Sequence, residues 1–191
     1  MARRPKDYIE PQAVSAAEAA AIMGVHFVMP RRMAEKGLLS AHVATESANV
    51  DEPERFYALY DSEECDGNYR EYDEKVAARG GKNDRRPRAW LHHRPPVVAH
   101  LKGVKTPIAF DDAVTLGEAA AILGVHHTLV PRMLRDGKIV GRVAWSPRSK
   151  GGPRLWIVSR RSCLANVKEI KAAEAAGTKR GRPRQKLKKM S

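Results

Sequence analysis

Residues 115–137 read TLGEAAAILGVHHTLVPRMLRDG, and residues 15–37 read SAAEAAAIMGVHFVMPRRMAEKG. Overlaid at an offset of 100, positions 13–44 and 113–144 share 15 identities in 32 pairs without a gap. Self-similarity of that kind marks two copies of one supersecondary unit. In each copy a Ser or Thr stands three residues before a Glu (Ser15/Glu18, Thr115/Glu118), the capping-box signal for a helix start. Gly24 and Gly124 stop that Ala-rich helix, because glycine accepts the positive φ of a sharp turn. Val25 and Val125 anchor the turn, His26 and His126 cap a second helix, and Gly37 and Gly137 end it. Proline falls within that second helix, at Pro30 and Pro131, so the helix either begins late or is distorted at its start.

A hairpin is expected to follow each helix pair. Its strands fall at 40–44 and 55–60 in copy one, and at 138–145 and 154–158 in copy two. A last helix opens at Asp61 or Ser62 in the first copy and is capped by Ser159 in the second, running to about residue 176. The chain divides accordingly into a basic arm (1–12), copy one (13–78), a basic proline-containing linker (79–112), copy two (113–176) and a basic tail (177–191). The linker reads as a semi-extended strap rather than a third domain, with Trp90 and residues 97–101 able to pack onto a module.

The chain has 191 residues and a net charge of +13, which points to a polyanionic partner. The charge is unevenly spread: copy one carries −7 over 13–78, while 113–171 carries +8. Copy one's acidic cluster, Glu63, Glu64, Asp66, Glu71, Asp73 and Glu74, reads as a solvated helix face. No apolar run approaches the roughly 18 residues of a membrane span, and the basic start lacks the apolar stretch of a secretory signal. Cys65 and Cys163, at near-equivalent places in the last helices, read as buried thiols. His92, His93, His100 and Cys65 have no paired ligand spacing, so neither metal nor cofactor is expected. Nor is enzymatic activity, in the absence of a phosphate loop, a nucleophile elbow or a Cys/His pair in context.

The Glu-Ala-Ala helix, Gly-Val turn and charged-residue-Gly ending resemble the winged helix-turn-helix of the MerR and excisionase group. The likeness is stronger over 113–165 than over 13–76. It implies a mainly α fold with small β-wings, as tandem winged helix-turn-helix modules, whose second helix lies in the major groove of DNA. With Leu129, Met133 and Leu134 facing inward, the outer stripe of copy two is His127, Thr128, Arg132 and Arg135, donors suited to base edges and phosphates. Its wing offers Arg148, Lys150 and Arg154 to the backbone or the minor groove.

Copy one presents Phe27 and Val28 where copy two has His127 and Thr128, and its wing loop over 45–54 carries four acidic residues and no basic one. It is therefore expected to keep the fold and lose much of the DNA role, binding a protein or a second copy through Phe27 and Val28. The alternative is a second half-site gripped by Arg31 and Arg32. In the tail, Arg180-Gly181-Arg182-Pro183, followed by Arg184, resembles an AT-hook. Glycine lets the backbone approach the groove floor, and the arginines lie along a narrow A·T minor groove. The linker run Arg85-Arg86-Pro87-Arg88 lacks the glycine and reads as phosphate attraction alone.

The function expected is that of a sequence-specific transcription regulator on double-stranded DNA, A·T-rich by preference. It would work in the cytoplasm at the nucleoid, as a bacterial or phage-encoded protein, or in the nucleus of a eukaryote. The alternatives are an excisionase-like or nucleoid-type architectural factor and a structural protein using copy one to bind a partner. RNA ranks lower, because no aromatic stacking platform is legible in the chain.

Overall fold

The computed structural model describes residues 8–46, 54–81, 84–147 and 155–175. It is mainly α-helical with small antiparallel sheets. Copy one runs β1 (Ala13–Ser15), α1 (Ala16–Met23), α2 (Met29–Glu35), β2 (Ala41–Glu46), β3 (Glu54–Asp61) and α3 (Ser62–Ala78). The linker folds into α4 (Arg88–Leu91) and α5 (Arg94–Lys102). Copy two repeats the first order as β4 (Ala113–Val114), α6 (Leu116–Leu123), α7 (Val130–Arg135), β5 (Gly141–Val143), β6 (Trp156–Ser159) and α8 (Arg160–Ala175).

Both capping boxes form. Ser15 Oγ accepts from the Glu18 amide at 3.2 Å while the Glu18 carboxylate accepts from the Ser15 amide at 2.8 Å. Thr115 and Glu118 do the same at 3.3 and 2.8 Å. Gly24 and Gly124 end these helices at φ 65° and 64°. The Val25 and Val125 amides then return to the Ala20 and Ala120 carbonyls at 2.9 and 3.1 Å, closing Schellman turns. The second helices begin late. Pro30 and Pro131 each fall in the first turn, where no amide is required. In copy two a 3-10 turn, His127–Leu129, precedes the helix. That start sets the helical phase: Val130 takes the inner position, Met133 and Leu134 pack on the same core, and Leu129 stays 46% exposed. Leu129 is thus not the inward residue that the spacing suggests.

Each sheet has three strands, because the residues before the first helix form an additional strand: β1-β3-β2 and β4-β6-β5. In copy two the hairpin strand is shorter than the expected 138–145. The Lys138 amide is used by the helix-ending turn, bonded to Met133 O at 3.0 Å. The Val140 amide is taken by Ser162 Oγ of α8 at 2.7 Å. The last helices open as expected, α3 with the Asp61 side chain accepting from the Glu63 amide at 2.8 Å and α8 with Ser159 Oγ accepting from the Ser162 amide at 3.1 Å.

The linker is not a semi-extended strap. Pro95 and Pro96 sit in the first turn of α5, where they fit a helix, and Val97, Val98 and Leu101 enter the core of copy one beside Ile22 and Tyr60. Arg94 is buried with them, donating to Asp66 Oδ1 at 2.5 Å and to the Ile22 carbonyl. Arg86 pairs with Asp73 and Asp84 and stacks over the rings of Tyr69 and Tyr72, 4.5 and 4.8 Å from their centroids. The acidic face of α3 is therefore partly consumed within the molecule rather than solvated, and Arg86 is a structural cation rather than a phosphate ligand. The acidic copy and the basic linker neutralise each other.

The two copies pack by an exchange of equivalent contacts. Arg142 of copy two donates to Glu18 of copy one at 2.7 and 3.1 Å and to the Ala13 carbonyl at 2.6 Å. At the same offset, His42 of copy one meets Glu118 of copy two at 2.8 Å. Between these pairs lies a shared core of matched residues, Ala13 with Ala113, Ala44 with Ala144 and Leu59 with Ile157, joined by Ile108 of the linker. Reciprocal contact between equivalent patches is the mark of an isologous interface, here within one chain.

Candidate nucleic-acid interface

Copy two presents its outer stripe as the sequence predicts. His127, Thr128, Arg132 and Arg135 are all exposed, on the 3-10 turn and α7. His126 Nδ1 lies 2.9 Å from Thr128 Oγ1 and the His126 and His127 rings are 4.2 Å apart, which holds the start of this surface in place. Arg132 is only loosely paired, with Asp136 at 3.9 Å, and Arg135 Nε donates to the Pro131 carbonyl at 3.3 Å. Both guanidinium groups remain largely available to an anion, since pairs at such exposure hold weakly. Arg148, Lys150 and Arg154, in the segment joining β5 to β6, and the tail residues Arg180, Gly181, Arg182, Pro183 and Arg184 lie outside the described residues.

Copy one is built differently at the same positions. Phe27 is 53% exposed, Val28 is half-buried, and Arg31 is paired with Glu35 at 2.8 Å beside an exposed Arg32. Helix α4 lies across the turn before them. A Cβ placed on Gly24 would come within 2.6 Å of Leu91 Cδ2, whereas one on Gly124 would meet nothing within 4 Å. The linker covers one turn and leaves the other open.

The same docking assembles an aromatic run that composition concealed. His26, Phe27, Trp90, His93 and Trp145 follow one another with centroids 4.5 to 6.2 Å apart, every pair tilted or edge-on. These rings come from copy one, the linker and copy two, so an aromatic cluster exists where none is legible in the sequence. Their inclined geometry packs rings against each other more than it offers a flat face to bases.

Arg142 and His42 do not stand out in the sequence, and Glu18 and Glu118, legible as helix caps, also link the two copies through them. Their signal lies in the repeat register, which places one ionisable pair (His42/Arg142) and one identical pair (Glu18/Glu118) at matched positions. Glu18 is fully buried and also accepts from the Trp145 amide at 2.8 Å. The thiols are buried: desolvation pushes Cys163 up to about 11 and Cys65 well above its ordinary value, with nearby carboxylates adding to both. Such thiols are poor nucleophiles and poor ligands. Among the described residues no cluster of three or more His, Cys, Asp or Glu could hold a metal, and no helix is long and apolar enough to cross a membrane. Set against known protein families, characterised proteins and solved structures, the chain matches none.

Proposed function

We propose that the chain is a DNA-binding protein built from two winged helix-turn-helix modules, the second of which reads the duplex. The observation that carries this reading is the contrast between the copies: the turn of copy two is uncovered and is followed by an exposed His127, Thr128, Arg132 and Arg135, while the turn of copy one lies under α4. Helix α7 enters the major groove, and Arg132 and Arg135 donate to base edges and phosphates. The wing cations Arg148, Lys150 and Arg154 contact the adjacent backbone, and the tail arginines Arg180, Arg182 and Arg184 follow an A·T-rich minor groove. Copy one is a scaffold that fixes copy two through the Glu18–Arg142 link. The role that follows is sequence-specific control of transcription.

Site selection from random duplex DNA tests this, using the full chain, a chain ending at residue 176, and an Arg132→Ala/Arg135→Ala variant. A defined motif flanked by an A·T tract is expected, with the tract requirement lost in the shortened chain and the motif lost in the double variant. Enrichment without a motif would shift the reading to an architectural factor that bends or coats DNA.

A second reading has one observation in its favour. In the repeat register Arg32 is the counterpart of Arg132, and both are exposed. A pseudo-dimer on two half-sites follows if Arg31 and Arg32 grip the backbone. A footprint that shortens by about one helical turn of DNA, roughly 10 base pairs, in Arg31→Ala/Arg32→Ala would establish it.

A further inference from the structure

Strand β5 is an outer strand of the copy-two sheet, with β6 on one side only. Its register sets Gly141 opposite Val158, Arg142 opposite Ile157 and Val143 opposite Trp156. Flanking that run, the Ser159 amide donates to the Val140 carbonyl at 2.9 Å and the Ala144 amide to the Leu155 carbonyl at 2.8 Å. Ladder bonds of an antiparallel pair fall on alternate residues. Val140, Arg142 and Ala144 therefore face β6, while Gly141 and Val143 turn their amides and carbonyls outward. The next outward amide, that of Trp145, is taken by Glu18 Oε1 at 2.8 Å. Outside the sheet, no group among the described residues accepts from the Gly141 or Val143 amide.

A cleft of about 340 Å³ runs along this edge. Residues 139–143 form one wall without interruption, α5 and its following turn form the other, and β6 contributes nothing. A hollow over a face of the sheet would be lined by alternate residues of neighbouring strands, so this one borders the free edge. Such an edge is a template for a further strand. The outward groups of Gly141 and Val143 recur at about 7 Å, the repeat at which an extended peptide offers its own donors and acceptors to one side.

The surroundings select the occupant. Val104, Val140 and Val143 offer apolar contact, with Val140 40% exposed. Lys105 is exposed at the rim and has no ion pair among the described residues, and no acidic residue lines the cleft. Arg142 is already neutralised by the buried Glu18. Pairing with a second copy would bring two rims of like charge together in a chain of net charge +13, whereas an acidic segment is attracted.

We propose that the β5 edge docks an extended, acidic segment of a partner protein, which adds to the sheet as a strand. Its backbone pairs with Gly141 and Val143, its β-branched side chains lie against the valines, and a carboxylate meets Lys105. The site uses none of the residues assigned to DNA.

The test needs no DNA, so its failure is separate from any failure of the DNA-binding reading. Fluorescein-labelled Thr-Val-Glu-Val-Asp-Val is titrated into the full chain by anisotropy. The controls are the same peptide N-methylated along its backbone, with equal charge, and one with Lys at both acidic positions. The acidic peptide is expected to bind with a Kd below about 1 mM and to slow amide exchange at Gly141 and Val143. Lys105→Glu should weaken it about 10-fold and improve binding of the lysine peptide. Val143→Pro, which removes an outward amide and no ladder bond, should abolish binding. Both variants should keep an unliganded Tm near that of the parent chain. Failure of the acidic peptide to bind overturns the proposal. So does equal binding of the N-methylated or lysine peptide, unchanged exchange at Gly141 and Val143, or a chain that self-associates through β5.

Discussion

Copies one and two start from nearly the same sequence and end in different surroundings. In copy one, α3 supplies Asp66 and Asp73, which draw Arg94 and Arg86 of the linker onto the module. In copy two, α8 opens with Arg160 and Arg161, and among the described residues no linker helix is docked over Gly124. A duplicated unit thus diverged by what its last helix attracts. The acidic copy carries α4 over its turn, whereas the basic copy has an open turn and an exposed cationic stripe. The two cross-copy links diverged likewise: Glu18–Arg142 is buried on both sides, and Glu118–His42 is partly exposed.

The buried link is the place to break this comparison hardest. Arg142→Ala strands the Glu18 carboxylate in the core and should cost about 3–5 kcal/mol in urea unfolding. His42→Ala, at the equivalent position, should cost under about 1 kcal/mol, because water and salt screen its pair. Similar losses for both would mean the interface is symmetric in energy as well as in layout.

Next in size is the difference that the proposed DNA binding predicts. Arg132→Ala/Arg135→Ala should lower affinity by about 10-fold or more and reduce the salt slope by about 1 for each phosphate no longer neutralised. Arg31→Ala/Arg32→Ala should change affinity by less than about threefold. Fluorescence anisotropy across a salt series separates the two, and a larger loss from the copy-one pair would reverse the assigned roles.

Gly124→Ala should destabilise by about 1–2 kcal/mol, the strain of a left-handed residue alone. Gly24→Ala should cost more, since its methyl must also displace Leu91, and it should alter the Trp90 emission as α4 shifts. Equal costs would show that α4 yields freely.

The smallest effect is in alkali. Cys163 ionises near 11 in the folded protein against an ordinary 9.0, and Tyr60 near 12 against 10.0, each because burial disfavours the charged form. Above about pH 9 the unfolded chain loses the thiol proton first and binds fewer protons than the folded one, so stability falls as pH rises. The contribution is complete below the unfolded value and is lost progressively toward pH 11. Cys163→Ala should flatten that part of the decline in thermal melts, and an unchanged slope would remove Cys163 as its source.

Much of the local structure is legible in the chain. The Ser15 and Thr115 caps, the Gly24 and Gly124 stops and the hairpin order act through neighbours a few residues apart, so their signals sit together in sequence. The linker is not legible in the same way, because Pro95 and Pro96 suggest extension and only the burial of Val97, Val98 and Leu101 reveals that they begin a helix. The outer stripe of copy two follows from periodicity, but Leu129 does not, because the 3-10 turn shifts the phase by a position the spacing rule does not register. The aromatic run is invisible in sequence, since its five rings come from three parts of the chain.

By itself, the sequence determined that there are two copies of one unit, where the first helix of each copy begins and ends, and which copy is acidic. Those properties depend on backbone conformation and on hydrogen bonds that close within one turn. Tertiary structure alone decided which copy is covered, which arginines are buried in ion pairs, and that Glu18 finds its counter-charge 124 positions away in Arg142. A buried charge must be neutralised by whatever group folding brings beside it, and that choice is set by packing across the whole chain rather than by any stretch of it.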